Sequence, residues 1–93
     1  SLYLIHTFMD INTIIAVTNK FLVEEFEANP ATITPEANMK STLDLDSLDY
    51  IDMVVVIEDN FGFKVNPEDF QAIVTFQDFY GYVASRVQQK ELV

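Results

Sequence analysis

Cysteine is absent from this sequence of 93 residues, and histidine occurs only once, at His6. Without cysteine the chain can have no disulfide framework, thiolate nucleophile, cysteine-ligated zinc site or iron–sulfur cluster. The histidine precedes the first helical pattern, and the sequence contains no glycine-rich phosphate-binding loop. We therefore expect no autonomous enzyme and no catalytic residue.

Positive charge is also scarce, since five Lys and Arg residues stand against fifteen Asp and Glu residues and give a formal net charge of −10. This excess repels nucleic-acid phosphates and anionic lipid headgroups, so we expect basic protein partners, no nucleic acid and no membrane insertion. A calcium loop at Asp44, Asp46 and Asp49 is disfavoured, because Leu48 stands where a third ligand belongs and no turn glycine follows. We expect no metal site.

Glycine and proline are few, with two and three residues, which predicts long elements joined by few turns. Hydrophobic residues make up 49% of the chain, enough for the single core of one domain. The apolar run from Leu2 to Phe8 is too short to span a bilayer, and no basic segment typical of a secretory signal precedes it. Because Met9 precedes the first helical pattern, we expect residues 1–9 to be an N-terminal extension and residues 10–93 to be a monomeric, cytoplasmic domain.

Helical periodicity begins early in the chain. Apolar residues recur at three- and four-residue steps from a cap at Asp10 or Asn12, and this helix must stop by Asn29 because Pro30 disfavours helical geometry before it. Residues 31–46 are typical of a long loop with a few apolar anchors.

Three further helices are predicted in the second half of the chain. One spans Ser47 to Phe61, and a short one opens at Asn66 before a proline. The last follows Thr75 and Asp78, which resemble a capping box. The expected fold is all-α, a small four-helix bundle with three longer helices and one short helix.

The predicted helix from Ser47 to Phe61 has two different faces. At 100° per residue its core arc is formed by Tyr50, Met53, Val54, Ile57 and Phe61. The apolar residues outside that arc are framed by acids, a pattern typical of a surface that binds a basic partner. The expected partner-binding residues are Asp46, Leu48, Asp49, Ile51, Asp52, Val55, Glu58 and Asp59. The alternative is a solvated acidic face with ordinary exposed apolar residues.

The segment Leu45-Asp46-Ser47-Leu48-Asp49 resembles the Asp-Ser-Leu signature of acyl carrier proteins. The likeness extends through most of the chain on both sides of the signature. The further matching segments are Ile33-Thr34, Ala37-Asn38-Met39, Glu58-Asp59-Asn60-Phe61, Val65, Pro67-Glu68-Asp69 and Ile73-Val74-Thr75-Phe76. One departure lies just before the signature, where many family members have Asp-Leu-Gly and this chain has Thr42-Leu43-Asp44.

The resemblance implies a 4′-phosphopantetheine cofactor, moved from coenzyme A by a phosphopantetheinyl transferase and attached to the Ser47 hydroxyl. A phosphodiester at a helix N-terminus would also meet free amide donors. The implied protein is a non-catalytic carrier that holds acyl intermediates as thioesters. It would present them to basic surfaces of acyl-transferring, condensing and reducing enzymes of fatty-acid or polyketide-type synthesis.

Two alternatives to this function stay open. The first is a carrier that loads an amino acid, of the peptidyl or D-alanyl type. The second is a small acidic helical adaptor without a cofactor, in which Ser47 is a plain N-cap. The many aromatic residues of the second half also leave an aromatic or polyunsaturated cargo open beside a saturated chain.

Overall fold

The computed structural model describes residues 9–92, and within them three long helices, one short helix and two 3₁₀ segments. The elements are α1 (Ile11–Phe26), a 3₁₀ segment (Pro30–Thr32), α2 (Met39–Leu43), α3 (Ser47–Phe61), a second 3₁₀ segment (Pro67–Ala72) and α4 (Phe76–Leu92). The predicted all-α fold is confirmed. Apart from Met9, the predicted N-terminal extension lies outside the described residues, as does His6. No helix in the described range is both long enough and apolar enough to cross a membrane.

The long helices begin at caps that the sequence identifies. Asp10 Oδ1 accepts a hydrogen bond from the Thr13 amide at 2.9 Å, which fixes the start of α1. Before α4, the Asp78 amide donates to Thr75 Oγ1 at 3.1 Å, and the Thr75 amide donates to Asp78 Oδ2 at 3.0 Å. The backbone hydrogen bonds from Thr75 and Val74 lower the pKa of Asp78 below its ordinary value.

The core lies where α1 packs against α4 and α3. Phe21 of α1 meets Phe61 and Phe79 edge to face, with ring centroids 6.4 and 6.5 Å apart, the geometry that aromatic pairs prefer. The largest fully buried side chains are Phe76, Phe79, Ile14, Leu22, Met39, Met53, Ile57, Val83 and Thr18. This packing buries one face of α3 and leaves the opposite face in solvent.

The connection from α1 to α3 contains a helix that the sequence does not predict. The expected loop over residues 31–46 is wrong for the five residues of α2, which Asn38 caps by accepting from the Ser41 amide at 2.9 Å. The Met39 amide donates to the Val74 carbonyl at 2.9 Å, and the Met39 side chain is 1% exposed. One helical turn is too short to show a period, and Val74 is far away in sequence, so the pattern alone cannot reveal α2.

The short helix predicted at Asn66 forms as the 3₁₀ segment Pro67–Ala72. Its proline occupies the first turn as expected, but the Asn66 side chain makes no capping hydrogen bond. None of the six residues is fully buried, and the half-buried Phe70 is the side chain of this segment that packs against the core. Its position depends on the half-buried contacts described below.

Candidate functional site

Ser47 is the first residue of α3 and lies between two mutually bonded aspartates. Asp46 Oδ1 accepts from the Asp49 amide at 2.9 Å, and Asp49 Oδ2 accepts from the Asp46 amide at 3.0 Å, a reciprocal capping box. Asp46 is therefore the N-cap, and Ser47 is not needed for that role. The Ser47 side chain is exposed to solvent.

The turn that leads into α3 is equally well defined. Asp44 ends α2 in the left-handed conformation, with φ of 53°, and its amide donates to the Lys40 carbonyl. The Leu45 amide donates to the same carbonyl at 3.0 Å, and the Leu45 side chain is buried. Left-handed backbone favours glycine, and aspartate is one of the few other residues that adopt it. Asp44 therefore supports a tight turn at the position where the related motif has glycine.

Hydrogen-bond donors at the start of α3 suit a phosphate ester. In the part of the chain that the structure describes, neither the Ser47 hydroxyl nor the Ser47 and Leu48 amides have a hydrogen-bond partner. Free amides at a helix N-terminus lie at the positive end of the helix dipole and bind phosphate oxygens. A phosphodiester on the Ser47 oxygen would thus meet donors that are already oriented.

A groove of about 820 Å³ extends from Ser47 between α3 and the second 3₁₀ segment. Tyr50 of α3 and Phe70 of the 3₁₀ segment line it together, with ring centroids 5.2 Å apart and planes tilted by 59°. Aliphatic side chains from α3 and from the residues after the 3₁₀ segment make up most of the remaining lining, and Lys40 supplies the one cationic side chain. The groove can therefore accept an extended apolar chain that begins near Ser47.

The face of α3 opposite its core stripe exposes the apolar residues expected there. Leu48, Ile51 and Val55 are 69%, 61% and 52% exposed. We call the eight residues predicted to bind partners the acidic α3 face. Ile51 and Val55 also line the groove, so this face and the groove are continuous.

The acids of the acidic α3 face differ in their surroundings. Asp52 and Asp59 are exposed and have no hydrogen bond or ion pair within the described range. Asp49 is half-buried in the capping box, and half-buried Glu58 accepts the Val65 amide at 2.8 Å through Oε2. Asp52 and Asp59 are therefore free for a partner, whereas Asp49 and Glu58 also maintain the fold.

Few of the acidic side chains in the described range are neutralised by an ion pair. Among residues 9–92 the one ion pair joins Arg86 Nη1 to Asp69 Oδ2 at 3.1 Å. No group of three or more acidic or histidine side chains in the same range converges to hold a metal ion. The acidic α3 face thus presents an uncompensated negative potential to solvent.

The sequence pattern does not reveal the groove or the contacts of the second 3₁₀ segment, which forms the outer wall of the groove. The sequence predicts Tyr50 on the core stripe, and its half-buried side chain packs against the core and also lines the groove. Phe70 is far from Tyr50 in sequence, and neither belongs to a motif that would pair them. The amphipathic position of Tyr50, at the edge of the core arc, is the one signal that could have suggested a partly exposed role.

Comparison with known proteins identifies related chains. The sequence family described as "Phosphopantetheine attachment site" matches residues 20–83, a range that includes Ser47 and all of α3. Acyl carrier protein 2 of Ralstonia nicotianae is 39% identical over 62 residues, which cover 67% of this chain and 76% of the relative.

Two further relatives extend the comparison to other organisms. Acyl carrier protein 2, mitochondrial, of Arabidopsis thaliana is 34% identical over 77 residues, which cover 80% of this chain and 61% of that protein. The acyl carrier protein of Thermosynechococcus vestitus is 24% identical over 79 residues, covering 85% of this chain and 98% of the relative. The similarity to this last relative therefore runs over nearly its whole length.

Proposed function

The chain belongs to the acyl carrier protein family, and we propose that Ser47 bears the 4′-phosphopantetheine group of this family. Members of the family hold this group covalently and are carriers, not catalysts. The observation that carries the assignment is the exposed Ser47 hydroxyl, which has no hydrogen-bond partner in the described range and lies beside two free amides. Asp46 caps the helix in its place, so Ser47 can be modified without loss of the cap.

The attached group supplies a terminal thiol that holds an acyl group as a thioester, chemistry that a chain without cysteine lacks. The residues of this chain hold and orient the arm. The Ser47 and Leu48 amides are placed to donate to its phosphate oxygens. Lys40 lines the same groove as Ser47 and adds a positive charge on that side of the molecule. We expect Ser47 to be the sole attachment point.

The carried acyl chain would lie in the groove beside Ser47. The groove is lined mainly by apolar side chains, and burial of apolar surface stabilises a chain placed there by about 25 cal/mol per Å². The carrier would serve fatty-acid or polyketide-type synthesis. The groove's aromatic pair, Tyr50 and Phe70, suits either a saturated or an unsaturated chain.

The partners in this proposal dock on the acidic α3 face. They are the phosphopantetheinyl transferase that loads Ser47 and the acyl-transferring, condensing and reducing enzymes that act on the carried chain. The exposed apolar residues Leu48, Ile51 and Val55 provide the centre of the contact, and Asp52 and Asp59 attract basic side chains around it. Glu58 contributes mainly through its charge, since its carboxylate already accepts a hydrogen bond from the Val65 amide.

We place the carrier domain at residues 10–93 and propose that it acts as a monomer in the cytoplasm. A chain without cysteine is compatible with a reducing compartment. Cell fractionation tests the location. Recovery of the protein with mitochondria, the compartment in the name of the Arabidopsis relative, would contradict a cytoplasmic location.

Loading by a broad-specificity transferase with coenzyme A tests the proposal. The protein and a Ser41→Ala control, which removes another exposed serine nearby, should each gain the mass of one phosphopantetheine group. The Ser47→Ala variant should gain none, as measured by intact mass spectrometry. Loading of Ser47→Ala, or failure of the unmodified protein to load, would refute the assignment.

A further inference from the structure

The second 3₁₀ segment forms the outer wall of the groove, and one of its carboxylates accepts hydrogen bonds from α4. Asp69, in the second 3₁₀ segment, accepts at Oδ2 from the Tyr82 hydroxyl at 2.8 Å and from Arg86 Nη1 at 3.1 Å. Both donors belong to α4, whose inner face is part of the core. The 3₁₀ segment is therefore attached to a rigid element at this residue.

Arg86 makes more contacts than this ion pair. Its Nη2 donates to the Lys64 carbonyl at 2.6 Å, and its guanidinium lies 5.2 Å from the Phe63 ring centroid and 5.8 Å from the Tyr82 centroid. One side chain thus joins α4 to the 3₁₀ segment and to the loop that precedes it. The pair is half-buried, with 26% of each side chain exposed, so solvent weakens it less than a fully exposed pair.

This attachment continues directly into the groove. Phe70 follows Asp69 in the chain, and its ring packs on Tyr50 in the groove lining. The 3₁₀ segment is therefore held from the outside by Arg86 and from the inside by Tyr50. None of its residues is fully buried, so these contacts and the packing of Phe70 against the core hold the segment in place.

We propose that Arg86 and Asp69 are positioning residues for the carried chain, because they hold the groove wall closed over it. This inference rests on the proposed function, in which an acyl chain on Ser47 lies in the groove. Neither residue touches the attachment site, since neither lines the groove. They act through Phe70 and set the degree to which the groove shelters a long acyl chain from solvent.

The test uses Arg86→Gln and Asp69→Asn, with Lys64→Gln as the matched control. The control removes one positive charge next to the Arg86–Asp69 pair, but the Lys64 side chain has no hydrogen bond or ion pair in the described range. Each protein is loaded with an octanoyl or an acetyl phosphopantetheine arm. The rate of thioester cleavage by hydroxylamine is followed by mass spectrometry. Hydrogen exchange of the backbone amides of residues 68–73 is measured on the unloaded proteins.

We expect hydroxylamine to cleave the octanoyl thioester about fivefold faster in Arg86→Gln and in Asp69→Asn than in the unmodified protein. This factor corresponds to about 1 kcal/mol. Amide exchange in the groove wall should rise in parallel. The acetyl thioester should be cleaved at an unchanged rate, because two carbons are too few to depend on the wall. Lys64→Gln should match the unmodified protein in every measurement. Arg86→Lys, which keeps the charge and loses the forked geometry, should be intermediate.

Two results would overturn the inference. The first is an octanoyl cleavage rate in Arg86→Gln and Asp69→Asn equal to that of the unmodified protein. The second is equal acceleration of the acetyl and octanoyl thioesters, which would place the effect at Ser47 instead of the groove. If the unmodified protein protects octanoyl no better than acetyl, the sheltering role in the proposed function is also refuted. Attachment at Ser47 is judged separately, from the loaded mass.

Discussion

Reversal of the charge at Asp52 and Asp59 tests the acidic α3 face most cleanly. Both side chains are exposed and have no hydrogen bond or ion pair within residues 9–92, so Asp52→Lys with Asp59→Lys breaks no contact of the fold. Asp49 and Glu58 are poorer targets. Their substitution would also remove a capping hydrogen bond or the bond to the Val65 amide.

The size of the effect follows from the exposure of the two sites. An exposed ion pair contributes about 0.2–1 kcal/mol, and reversal both removes an attraction and adds a repulsion, so each site should cost about 1 kcal/mol. The two together, at about 2 kcal/mol, should lower kcat/KM for loading by the transferase roughly 30-fold at low salt. The difference should shrink as salt rises, because the screening length falls from about 10 Å at 0.1 M to about 3 Å at 1 M.

The assay is the initial rate of transferase loading over a range of ionic strengths. The matched control is Glu24→Lys with Glu36→Lys, which changes the net charge equally at two exposed acids outside α3. We expect this control to lose much less activity than the α3 variant. Equal losses in the two variants would assign the effect to total charge, and an unchanged α3 variant would show that partners bind elsewhere.

Three further predictions concern stability. Asp46→Ala should lower the free energy of unfolding by about 1 kcal/mol in urea denaturation, while Ser47→Ala should lower it much less, because Asp46 is the cap; equal losses would contradict the capping box. Burial and the hydrogen bond to Asp69 raise the pKa of Tyr82 well above its ordinary value of 10.0, so the neutral phenol is favoured in the folded state. The contribution of Tyr82 to the free energy of unfolding should therefore be complete below about pH 10 and fall as pH rises above it. When the free energy of unfolding is measured against pH, Tyr82→Phe should lose less stability at alkaline pH than the unmodified protein does. Screening of the net charge of −10 should raise the melting temperature alike in magnesium and calcium chlorides at matched ionic strength, and a calcium-only shift at micromolar concentration would reveal a specific site instead.

The sequence predicts those parts of the fold that depend on local pattern. Met53, Ile57 and Phe61 fall on one face of a helix, and all three are buried as expected despite the β-branched run beside them. The start of α3 is also determined locally. Asp46 caps the helix, Asp49 accepts a hydrogen bond from the Asp46 amide, and the two residues are three positions apart. Ser47 could be selected because its neighbours form a short, continuous motif.

The features that the sequence does not reveal depend on contacts between distant residues. The short helix α2 is held by the bond from Met39 to Val74, and its single turn has no period of its own. Arg86 meets Asp69 and the Lys64 carbonyl across 17 and 22 residues, and no spacing rule connects them. The groove lies between α3 and the 3₁₀ segment, two elements whose contact also joins residues distant in sequence, such as Tyr50 and Phe70.

The central claim is that Ser47 carries the phosphopantetheine arm, and peptide fragmentation of the loaded protein tests it most directly. Trypsin cuts after Lys40 and Lys64 and releases residues 41–64, which contain Ser41 and Ser47. The added mass should appear in every N-terminal fragment that includes Ser47 and in none that ends at Asp46. Added mass on a fragment that ends before Ser47, or on any other peptide, would contradict the claim.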